Sequence, residues 1–100
     1  LSLAVSRSVL SLLKSISEPF DVRLTLIGSR ARGVFSSFSD VDILVGGPDV
    51  GMFMSRFGET DSPDSKMRLH FISCREQTQM FLDNVATYGI RIVEGGKWIH

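Results

Sequence analysis

Two short groups of residues in this sequence have the types and spacing that chemistry requires. Gly28-Ser29 closes an apolar run, and Asp40 and Asp42 stand one residue apart ahead of another. Carboxylates two apart on an extended chain project from the same face. At about 5 Å, with an effective dielectric of about 20, they repel by roughly 3 kcal/mol. A hard divalent cation between them removes that cost. Mg²⁺ fits, because it takes oxygen from one or two carboxylates and completes its shell with water and substrate phosphates. Gly28 and Ser29 are the candidate phosphate half: glycine lets the backbone approach a ligand closely, and the free amides of a helix start face an anion. Arg30 and Arg32 could add charge-assisted bonds to phosphate oxygens, with solvated arginines as the plainer alternative. A Gly-Ser turn alone means little. Aspartate is depleted in strands, so the two groups together are far more specific than either.

These groups need elements to hold them. Val22 to Ile27 is rich in β-branched residues and leucine and runs straight into Gly28, which predicts a buried strand ending at a turn, with Ser29 opening a short helical turn. Asp40 to Val45 alternates strictly, Asp40, Asp42 and Leu44 on one face and Val41, Ile43 and Val45 on the other. Upstream, Val5, Val9, Leu12, Leu13 and Ile16 mark one apolar helix face, stopped at Pro19. Pro48 and Asp49 suit the start of a second helix carrying Val50, Phe53, Met54 and Phe57, which stops at Gly58. Met67 to Ser73 reads as a third strand, with Arg68, His70 and Ile72 on one face. Ser73-Cys74-Arg75-Glu76 matches a capping box and predicts a third helix from there to Gly89, its apolar face Phe81, Leu82, Val85 and Tyr88. Ile90 to Val93 is a last short strand. The expected fold is an α/β (α+β) layer, a mixed sheet of about four strands with about three helices.

A chain of 100 residues is expected to form a single domain over residues 1–100, with room for one core and one site. Seven Phe and a positive mean hydropathy exclude a disordered chain. Acidic and basic residues balance at eleven each, so no whole-protein field favours nucleic acid, and no aromatic platform suits a templated polymerase. No run approaches the roughly 20 apolar residues that a membrane span needs. The opening LSLAVSRSVLSLL is interrupted by Arg7 and lacks a cleavage site, so it is expected to belong to the fold. Cys74 is the only cysteine, and the simplest expectation is a reducing, cytoplasmic setting. The Trp98 tail either anchors a partner or packs on the sheet.

Ile27-Gly28-Ser29, a spacer from Arg30 through Ser39, then Asp40-Val41-Asp42-Ile43 resembles the signature of the nucleotidyltransferase superfamily that includes DNA polymerase beta. GSRARG followed by SDVDILV is similar to the minimal nucleotidyltransferases of prokaryotes, small domains often paired with a helical HEPN partner as toxin and antitoxin. The resemblance covers nearly the whole chain. It implies transfer of a nucleoside monophosphate, AMP from ATP, to an acceptor hydroxyl with pyrophosphate leaving. Gly28 and Ser29 would grip the phosphates, and Asp40 and Asp42 would hold Mg²⁺. Self-association is a further expectation for partners.

The family pattern has a third carboxylate on a later strand, which helps activate the acceptor hydroxyl. The corresponding stretch, MRLHFIS, contains no Asp or Glu, and alternation brings that place to His70. Imidazole is a poor ligand for Mg²⁺, though Mn²⁺ tolerates it better, and with a reference pKa of about 6.5 it is suited to act as a general base; a half-exposed histidine with no chemical duty is the plainer alternative. Two functions therefore compete. One is a working enzyme that modifies a partner protein; the other is a degenerate nucleotide-binding antitoxin module that acts by binding a helical partner.

Overall fold

A computed structural model describes residues 5–99; the first four residues of the opening apolar stretch and His100 lie outside it. Helix α1 runs over Arg7–Ser17, capped by Ser6, whose Oγ accepts from the Val9 amide at 3.5 Å. Val5, expected on the helix itself, sits just before the cap and is buried there. An apolar residue at that place fixes the angle at which the chain enters a helix. The remaining elements are β1 (Arg23–Ile27), α2 (Gly28–Arg32), β2 (Val41–Gly46), α3 (Val50–Phe57), β3 (Leu69–Ser73), α4 (Gln79–Tyr88), β4 (Ile90–Glu94) and β5 (Lys97–Trp98). The strands form one mixed sheet in the order β3-β2-β1-β4-β5, in which β2 and β3 are parallel and every other pair antiparallel. The class is the one the sequence implied.

Period-two alternation divides the sheet into two faces. Leu24, Leu26, Val41, Ile43, Val45 and Phe71 form the buried face, against Val9 and Leu13 of α1 and Val50 and Phe53 of α3. Phe53 is the centre of this packing, edge-on to Phe20 at 5.9 Å and to Phe71 at 5.5 Å. Thr25, Asp42, Leu44, His70 and Ile72 belong to the opposite face, which is less buried. There α4 crosses the strands, and Leu82 and Val85 share a cleft with Thr25 and Leu44. Both sides of the sheet are thus partly covered, but only the α1 and α3 side is a dry core.

Three further local expectations differ from the structure. Ser73 does cap a turn, its Oγ accepting from the Arg75 amide, but the turn is a single 3₁₀ turn over Cys74–Glu76. Gln77 then becomes extended, and α4 starts afresh with Thr78 as its cap, Oγ1 accepting from the Phe81 amide at 3.1 Å. Two cap residues five apart compete for one helix start, and the later one begins the helix that crosses the sheet. Second, Asp40 lies one residue outside β2. Third, the chain continues past Val93: Gly95 and Gly96, at φ 59° and 76°, form a two-residue hairpin turn that pairs Val93 with Trp98. Positive φ at both central residues matches the twist of the flanking strands. Trp98 accordingly packs against the core.

Phe53→Ala removes the ring on which three other aromatic side chains lean, and should lower the unfolding free energy by about 3–5 kcal/mol in urea titration. A loss below about 1 kcal/mol would show that the core does not depend on it.

Candidate active site

The site begins with strand register. β1 and β2 pair antiparallel with Ile27 opposite Asp42, so the residue after β1, Gly28, arrives beside the Asp42 side chain. Gly28 has φ +74°, and a Cβ built on it would stand 2.6 Å from Asp42 Oδ2. Glycine is required twice here, for the left-handed backbone and for the space. The turn then winds into α2, whose first turn carries no side-chain cap, so its leading amides keep their donors.

On the other side of Asp42 lies His70. The parallel pairing of β2 with β3 puts Asp42 and His70 in register, and His70 Nδ1 is 3.3 Å from Asp42 Oδ1. One carboxylate oxygen therefore faces the histidine and the other the Gly28 turn. Asp42 retains about a quarter of its side-chain exposure, 26%, whereas His70 keeps 61%, so the pair opens to solvent on the histidine side.

Asp40 is exposed and immediately precedes β2. The peptide groups flanking it are held. The Val41 amide donates to the Arg68 carbonyl at 2.8 Å, and the Ser39 carbonyl accepts from Arg30 Nε at 2.9 Å.

Arg30 is the largest fully buried side chain, only 2% exposed. The sequence suggested a phosphate contact for it; the structure gives its guanidinium other partners. Nη2 donates to the Ser36 and Ser37 carbonyls at 3.3 Å each, and the plane lies 4.8 Å from the Phe35 ring centre. Arg30 thus ties the loop between α2 and β2 to the turn and positions Asp40. A sequence signal existed: Arg30 lies three residues after buried Ile27, on the inward side of a one-turn helix. Arg32, also a candidate for phosphate, is exposed and sits over the Tyr88 ring at 4.3 Å. Of the seven candidates, Gly28, Ser29, Asp40, Asp42 and His70 stand at one end of the sheet, Arg30 holds the loop before β2, and Arg32 lies over Tyr88.

The family model for the nucleotidyltransferase domain matches residues 7–80, from the start of α1 into α4, and includes every one of these residues. The chain belongs to the nucleotidyltransferase domain family. Among curated proteins, no relative matches it. The match supports nucleotidyl transfer as the general chemistry of this nucleotidyltransferase domain. Its oxygen donors fit a hard cation. No group of three His, Cys, Asp or Glu converges on one point among the described residues, so protein donors alone do not make a metal cage. Two carboxylates with water and phosphate completing the shell is the mode Mg²⁺ prefers.

Replacing Arg30 by Met should cost at least about 2 kcal/mol of stability, since carbonyls bonded to a charged donor lose it. Amide exchange over residues 36–40 should quicken more than in the sheet. Unchanged exchange in that loop would contradict the positioning role.

Proposed function

We propose that this chain is a Mg²⁺-dependent nucleotidyltransferase that transfers AMP from ATP to an acceptor hydroxyl on a partner protein. The observation that carries the reading is the double contact of Asp42, one oxygen against the Gly28 turn and the other against His70. A phosphate turn, a metal-binding carboxylate and a proton acceptor in one row are what the transfer needs.

In this reading the amides of Gly28 and Ser29 bind the terminal phosphates, and Asp40 and Asp42 would hold the cation, which would supply charge neutralisation for the transferring phosphoryl group and the leaving pyrophosphate. His70 acts on the acceptor. A proton on Nδ1, donated to Asp42 Oδ1, leaves the Nε2 lone pair to take the acceptor's hydroxyl proton. As that proton moves, the acceptor oxygen bonds to the α-phosphorus and the bond to pyrophosphate breaks. Histidine would thereby perform the activation that the family assigns to a third carboxylate. Val34 and Phe38, 73% and 75% exposed on the loop leading to Asp40, support an acceptor presented by a protein surface. A helical HEPN-type protein is the partner we propose, in a toxin-antitoxin pair within the cytoplasm.

The same histidine supports a second reading, in which the chain binds nucleotide without transferring it and acts by assembling with that partner.

Incubation with labelled ATP, Mg²⁺ or Mn²⁺ and candidate helical partners separates the two. Transfer should appear, fall by about 100-fold or more in Asp42→Asn, and fall by about 100-fold in His70→Asn with little change in KM for ATP. Tight ATP binding with no label on any partner would establish the binding module instead.

A further inference from the structure

β3 is an edge of the sheet, and the side-chain row that joins Asp42 to His70 ends on it. We infer that the acceptor protein docks here as an added strand: an extended segment pairs with β3 and presents its hydroxyl beside His70. The inference rests on the transfer reading given above and names how the acceptor is held.

Backbone geometry comes first. The Val41 amide donates to the Arg68 carbonyl at 2.8 Å, and the parallel register pairs Val41 with Leu69. In a parallel ladder a residue bonds to the two that flank its partner, so β3 turns the peptide groups of Arg68, His70 and Ile72 toward β2. Those of Leu69 and Phe71 point away from the sheet, and no other segment among the described residues bonds to them. Such a row of donors and acceptors is what an extended chain pairs with. The opposite edge offers less, since β5 has two residues where β3 has five.

Side chains indicate what the added strand carries. A paired strand lies about 4.8 Å away, so its residue opposite His70 projects from the same face, within reach of the exposed imidazole. Nδ1 of His70 is turned to Asp42, which leaves Nε2 for the hydroxyl. His70 takes the hydroxyl proton, the oxygen bonds to the α-phosphorus, and the bond from that phosphorus to pyrophosphate breaks. Arg68 and Ile72 flank His70 on this face, Arg68 exposed and Ile72 half-buried. No ion pair joins Arg68 to a carboxylate among the described residues. A segment with a carboxylate opposite Arg68 and an apolar side chain opposite Ile72 is the complement. Because residues two apart share a face, the acceptor carries an acid two residues to one side of its hydroxyl and an apolar residue two to the other.

The probes are ten-residue peptides with a central serine or tyrosine, a glutamate two residues to one side and a valine two residues to the other, in both orders. Amide exchange followed by NMR reads the edge directly. With peptide at about ten times its Kd, the Leu69 and Phe71 amides should exchange about tenfold more slowly. Those of His70 and Ile72, already bonded to β2, should change little. Leu69→Pro removes one outward amide and leaves the ladder to β2 whole. It should abolish the protection and cut label transfer from ATP to peptide at least about tenfold, with ATP affinity retained. Arg68→Glu, at an exposed position, should weaken the glutamate peptide and favour one with lysine in its place. Label on a folded partner that neither variant diminishes, with Leu69 and Phe71 unprotected by peptide, overturns the inference and leaves the transfer reading intact. A dimer in sedimentation that Leu69→Pro dissociates gives the edge to a second copy and overturns the inference as well. Label on no acceptor overturns the transfer reading, and the acceptor role of β3 with it.

Discussion

The antiparallel pairing of β1 with β2, with Ile27 opposite Asp42, is the constraint on which the rest of the site depends. It brings the end of one strand, where the chain must turn, against the start of another, where a carboxylate points out of the sheet. A slip of one residue would send Asp42 into the core in place of Val41 and Ile43. The buried face opposes such a slip, because Val41, Ile43 and Val45 would all have to leave it together. Site geometry is therefore secured by the apolar residues on the far side of the same strands. Parallel pairing of β3 extends the constraint, since its register alone determines that His70 and not Arg68 meets Asp42.

Buried arginine completes this arrangement. The segment from Gly33 to Ser39 has no regular structure and bonds mainly to itself and to Arg30. Drawing a guanidinium out of water is costly unless its donors are satisfied, and loop carbonyls supply that satisfaction while the loop gains an anchor. The same exchange holds the peptide before Asp40. Without it, one of the two carboxylates would hang from a free loop, and their separation would be undefined.

How much of this the sequence disclosed depended on the range of the interaction concerned. Alternation of Val41, Ile43 and Val45 with Asp42 and Leu44 is local and was legible, as was the turn at Gly28. His70 was reachable because alternation along one strand gave its face, and the family pattern gave the place to look. The role of Arg30 was not legible as a contact, because its partners are backbone carbonyls that carry no side-chain signature. Capping misled for a related reason: Ser73 and Thr78 are both competent caps, and only the path of α4 across the sheet chooses between them. The Gly95-Gly96 hairpin was written in the sequence as two adjacent glycines, but a partner strand of two residues is too short to announce itself by pattern. The cleft under α4 had no local signal at all, since it joins β1, β2, α4 and β4.

The central claim is the proposal that a divalent cation binds at Asp40 and Asp42, beside the Gly28 turn and His70. Paramagnetic Mn²⁺ titrated into isotope-labelled protein reports this directly, because it broadens the NMR signals of nuclei near it. Substoichiometric Mn²⁺ should broaden the amides of Asp40, Asp42, Gly28, Ser29 and His70 first, and addition of ATP should sharpen that selectivity. Broadening centred elsewhere in the chain, with residues 28–42 unaffected by metal or ATP, would contradict the account.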